Sequence, residues 1–141
     1  MQGELDRAGI KTNVEVVHGA SLREMIAKNG INFFYGSWIA DYPDGENYLS
    51  VFYSKNKILF GPNYTGFNNK TFDRLYESSY HVKDDTLRHS IYQQMDNLIM
   101  EKAPVVVLYY DKRVNLYQNN ISGYSTNAQN QLTLKRVKKI N

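Results

Sequence analysis

Cysteine is missing from the 141 residues, which excludes a disulfide framework, a thiolate metal site and a cysteine nucleophile. No apolar run approaches the roughly 20 residues needed to span a bilayer, and no charged-then-apolar leader precedes a cleavage site, so the chain is expected to be soluble. The marks of common catalysis are missing too. There is no Gly-x-Ser-x-Gly elbow and no glycine-rich phosphate loop, and Ser37 lies within a predicted strand without an evident base. His18, His81 and His89 lack the i, i+4 pairing and neighbouring carboxylates of a metal site. Neither an enzyme nor a cofactor is therefore expected.

Charge of one sign is scarce as well: 17 basic and 14 acidic residues leave a formal net charge of +3. Much of the excess sits in Lys135, Arg136, Lys138 and Lys139, interleaved with Leu134, Val137 and Ile140 like the solvated side of a terminal strand. A small basic nucleic-acid-binding domain is the alternative of a different class, but it calls for a basic face beside aromatics that this cluster does not supply.

What is present suits a folded domain, with 42% apolar and 22% charged residues. Tyrosine stands out at 12 residues. It offers amphipathic walls for a polar ligand, or simply suits half-buried strands.

Gln2 to Ala8 reads as the last turns of a helix whose start lies upstream, closed by Gly9, so the chain is expected to be a piece of a longer protein. Alternation of Ile10, Thr12, Val14 and Val16 with polar residues predicts a strand over 10–17. A capping box of Ser21 and Glu24 predicts a helix over 21–29, ended by Asn29-Gly30. The dense run from Ile31 through Asn32 to Ala40 predicts a second strand, buried on both faces. Together these make a βαβ unit in an α/β fold, whose ligands gather beyond the carboxyl ends of the strands. The segment leaving that end is Asp41-Tyr42-Pro43-Asp44-Gly45.

Further on, 47–53 is expected to be helical and 54–69 mostly loop. A short helix over 71–80 should turn Phe72, Leu75 and Tyr76 inward. A longer helix capped by Asp84 or Asp85 and ended by Pro104 should bury Leu87, Ile91, Met95, Leu98 and Ile99. Strands are expected over 105–110, 113–117 and 131–137. Asp84 and Asp85 are best read as helix-start charges. Asp41 has two readings: a turn former, or a carboxylate in a poorly solvated cleft beside Trp38 and Tyr42 that calls for a cation.

Trp38-Ile39-Ala40-Asp41-Tyr42-Pro43-Asp44 followed by Asn47-Tyr48-Leu49 resembles a segment of the family 5 oligopeptide and dipeptide solute-binding proteins. The order continues with Asn63-Tyr64, Phe72-Asp73-x-Leu75, Asp84-Asp85-x-x-Arg88-x-x-Ile91-Tyr92, Ala103-Pro104-Val105 and Tyr109-Tyr110. The resemblance covers nearly the whole chain but only the C-terminal region of a family member.

It implies a fragment of a type II periplasmic-binding-protein-like lobe: one partial domain, with 1–104 in the C-terminal lobe and 105–141 returning to a missing first lobe. It further implies that Asp41 holds a peptide's α-ammonium group while Trp38 and Ile39 line the cleft, with Ala40 and Tyr42 flanking. Tyr35 stands where some oligopeptide binders place a basic residue toward the ligand, and Gly45 where many relatives have proline. The implied partners are a peptide and the permease subunits of an ABC importer, outside the cytoplasm, with no nucleic acid. Oligosaccharides and nickel or haem complexes are the ligands of other family members. Cut from its first lobe, the chain is expected to expose strand edges and pair with a second copy.

Overall fold

The computed structural model describes residues 2–28, 30–31, 33–57, 61–127, 129 and 131–140. The chain divides into two units, 1–35 and 36–141.

In the first unit, α1 (Gln2–Arg7) ends at Gly9, whose φ of 83° is left-handed. The amide of Gly9 donates to Asp6 O at 3.0 Å and that of Ile10 to Leu5 O at 2.9 Å. This is the paired closure in which glycine adopts the required dihedral without a Cβ penalty. Helix α2 (Gly19–Ala27) starts earlier than Ser21 predicts, with His18 before it and no side-chain cap. Glu24 instead pairs with Lys28 at 2.6 Å. Asn29 and Asn32 lie outside the described residues.

The predicted βαβ unit is present only as its helix. Residues 10–17, and the described residues of 31–40, form no ladder. Val14 and Val16 are exposed, and so are Phe33 and Ile39, which contradicts burial on both faces. A helix satisfies its backbone internally, whereas a strand exists only through a neighbour, and apolar alternation alone supplies none.

The second unit is built on helices. Helix α3 (Glu46–Leu49) continues as a 3₁₀ turn over Ser50–Phe52, close to the predicted 47–53. The Asn69 side chain accepts from the amides of Thr71 and Phe72 and so opens α4 (Lys70–Ser79). Asp84 caps α5 (Asp85–Lys102) by accepting from Leu87 N at 2.7 Å. Helices α4 and α5 pack on each other, and α3 on α5.

Their shared core is Leu49, Phe72, Tyr76, Ile91, Met95 and Ile99, ringed by Phe52, Phe67, Leu75 and Leu98. Phe52, Phe67 and Phe72 meet edge-on, the arrangement aromatic quadrupoles favour. Leu87, predicted inward, is instead 54% exposed, in the first turn of α5.

Beyond Pro104 the predicted strands are largely absent. Residues 105–117 carry no strand, and the two-residue β1 (Ile121–Ser122) pairs antiparallel with β2 (Lys138–Lys139). Gly123 makes that pairing sterically possible, since a Cβ there would lie 2.0 Å from Arg136 O. Among described residues the fold is a small mixed helix and strand structure, and its sheet is a single antiparallel pair.

Candidate functional site

The segment from Trp38 to Glu46 leaves an irregular stretch and enters α3, so its side chains are placed by individual hydrogen bonds. Asn47, buried at the start of α3, accepts from the Trp38 indole Nε1 at 2.8 Å and from Asp41 N at 3.2 Å. Gln129 Nε2 donates to Asp41 O. The main chain of Asp41 is thus held on both sides. Its carboxylate is exposed, and no described residue hydrogen-bonds or pairs with it.

Asp44, three residues on, is fully engaged. Its Oδ1 accepts from Glu46 N and Tyr92 Oη, each at 2.9 Å, and its Oδ2 faces Arg88 at 3.2 Å. Burial alone would raise its pKa. The backbone amide of Glu46, the Tyr92 hydroxyl and the Arg88 guanidinium outweigh that and hold it below the ordinary value. Burial, then the hydrogen bond to Asp44, pushes the Tyr92 phenol up to about 12.

Glu46 is 8% exposed, and three phenols converge on it: Tyr42 on Oε2, Tyr76 and Tyr80 on Oε1, the last at 2.7 Å. Donors of this kind offset the desolvation of a buried carboxylate. The Tyr42 phenol is raised first by its bond to Glu46, and those of Tyr76 and Tyr80 first by burial. Tyr42, Asp44, Glu46, Tyr80, Arg88 and Tyr92 line a cleft of about 250 Å³.

The cluster ties the turn to both long helices. Each carboxylate oxygen of Glu46 and Asp44 already has at least one donor or cationic partner. No group of three or more metal-ligating side chains forms among the described residues.

The structure therefore brings together Trp38, Asp41 and Tyr42, of the residues singled out from sequence. Ala40 is half-buried between them, and Ile39 projects outward at 77% exposure. Tyr35 closes the first unit with its ring 55% exposed. Sequence reasoning missed Glu46 and Tyr80, and it picked out Tyr42, Tyr76 and Asn47 without the hydrogen bonds they make. The excess of tyrosine was the available signal, but the three phenols come from positions as far apart as 42 and 80.

No protein-family model matches the chain. It is similar to several curated proteins named as binding proteins. The "Dipeptide-binding protein DppE" of Bacillus subtilis (strain 168) is 27% identical over 103 residues, 73% of this chain and 18% of that protein. The "Probable di/tripeptide-binding protein 5" of Pseudomonas aeruginosa (strain UCBPP-PA14) is 27% identical over 138 residues, 97% of this chain and 26% of that protein. The "Probable deoxycholate-binding periplasmic protein YgiS" of Escherichia coli (strain K12) is 27% identical over 88 residues, 62% of this chain and 16% of that protein. The chain thus resembles peptide-binding proteins over most of its own length, as the motifs implied, and spans about a quarter of theirs at most.

Proposed function

We propose that this chain is the C-terminal part of the solute-binding component of an ABC importer, which captures peptides outside the cytoplasm and hands them to permease subunits. The observation that carries this reading is the contrast between two nearby aspartates. Asp44 is consumed by Tyr92, Arg88 and Glu46 N, whereas Asp41 has a pinned main chain and an open carboxylate near the half-buried Trp38. A fixed, unspent carboxylate beside an aromatic suits a peptide's α-ammonium group. A charge-assisted hydrogen bond to it is worth about 1.5–3 kcal/mol when water is excluded. Such a handle is common to every peptide with a free amino terminus, so side chains can vary while the extended main chain is held.

On this reading, 1–104 belongs to the C-terminal lobe of a type II binding protein. Residues 105–141 return to the other lobe, whose sheet covers the exposed Val106, Tyr110, Val114 and Leu116. Trp38, Ile39 and Ala40 line the cleft with Tyr42, and Tyr35 faces the ligand. No step of bond-making is involved. A non-peptide solute is the second reading, favoured by the similarity to a protein named for deoxycholate.

Calorimetric titration of the full-length protein with trialanine, N-acetyl-trialanine and the Asp41→Asn variant tests the proposal. Acetylation or substitution should each weaken binding by at least about tenfold, the size of one charge-assisted bond. Peptide binding indifferent to both would return Asp41 to a turn former, and no peptide binding would favour the second reading.

A further inference from the structure

Asn47 is only 4% exposed, and its single carboxamide oxygen serves two donors that belong to the candidate ligand segment. A carbonyl oxygen has two lone pairs, so the Trp38 indole and the Asp41 amide saturate it. No helix or ladder holds residues 38–41, and the oxygen is therefore what sets the indole against the main chain of Asp41. Asn47 is itself firmly placed: its amide donates to Asp44 O at 3.2 Å, its carbonyl accepts from Ser50 Oγ at 2.8 Å, and its helix α3 packs on α5. A neutral carboxamide makes both bonds without adding a second charge beside Asp41.

We propose that Asn47 is the positioning residue of the ligand segment, holding the Trp38 wall and the Asp41 carboxylate in the one arrangement that receives a peptide amino terminus. The inference rests on the peptide reading above and adds to it a residue that touches no ligand. Loss of the shared acceptor would free the indole to rotate away and the Asp41 backbone to shift. Positional errors of this kind are costly at sites that depend on preorganisation.

Trp38 is the single tryptophan of the chain, so its emission reports on the bond. In the 141-residue chain, Asn47→Ala and the bulkier, packing-preserving Asn47→Leu should shift that emission to the red and increase acrylamide quenching. Helical circular dichroism should stay unchanged in at least the Leu variant. Asn47→Asp keeps an acceptor oxygen but adds that second charge, so it should return the emission and the quenching only part of the way to wild type.

In the full-length protein, Ala and Leu should weaken trialanine binding about tenfold, the scale of losing one organised hydrogen bond to the site. Unchanged emission in both Ala and Leu overturns the proposal. So does an emission shift with undiminished trialanine affinity, which would leave Asn47 a packing residue. Failure of the wild type to bind trialanine sinks the peptide reading instead, and the emission arm then decides by itself whether Asn47 holds the segment.

Discussion

Within residues 36–141, two stretches of similar apolar character meet opposite fates. Phe72 and Met95, on α4 and α5, are 0% exposed, whereas Leu116 and Tyr110 in the stretch after Pro104 stand 93% and 90% exposed. The helices close their own backbone hydrogen bonds and need only one another's faces to bury a stripe. The stretch after Pro104 is rich in Val, Leu and Tyr and suits a sheet, but a sheet needs neighbouring strands at ladder distance. The lesson is that apolar composition measures readiness for burial, and topology decides whether burial happens.

The sharpest way to break this comparison is to truncate one side chain from each stretch. Phe72→Ala removes a ring enclosed by Phe52, Phe67 and Tyr76 and should cost about 3–5 kcal/mol of stability in urea unfolding. Leu116→Ala should stay within about 0.5 kcal/mol. Comparable losses would mean that the stretch after Pro104 is packed after all.

A smaller effect is expected where the two stretches join. Ala103 ends α5 with φ 46° and ψ 48°, left-handed values that a Cβ disfavours by about 1–2 kcal/mol. Glycine there removes the clash but loosens the unfolded chain, so Ala103→Gly should raise stability by up to about 1 kcal/mol in the same denaturation assay. A loss of stability would show that the left-handed closure does not govern the junction.

The smallest effect lies on the acid limb, because Asp44 and Arg88 are both partly open to solvent. The folded-state pKa of Asp44 is depressed, so its contribution is present above the unfolded value of 3.8 and is lost as pH falls through the folded one. Asp44→Asn should therefore flatten the fall in stability below about pH 4 while lowering stability at neutral pH. An unaltered acid limb would dissociate Asp44 from it.

Much of the helical half was legible because its signals are local. Asp84 caps the helix it precedes, Gly9 closes α1, and Ile91, Met95 and Ile99 repeat at the spacing of one helix face. Leu87 failed because the stripe says which face is apolar and not which of its residues the packing covers. The βαβ unit failed for a related reason: the pattern in 10–17 and 31–40 identifies strand-forming residues, while pairing depends on partners distant in the chain.

Of the site, the sequence picked out Trp38, Asp41 and Tyr42 through their resemblance to a known segment. By itself it determined the helices, the Gly9 and Asp84 ends of α1 and α5, and the turn carrying Asp41, since these depend on residues within a few positions of one another. Only the tertiary structure decided that Asp44 is spent and Asp41 open, that Glu46 gathers three tyrosines, and that Asn47 joins Trp38 to Asp41. Hydrogen bonds have short reach and strict direction, so which of several candidate donors and acceptors meet is settled only when α3, α4 and α5 have packed.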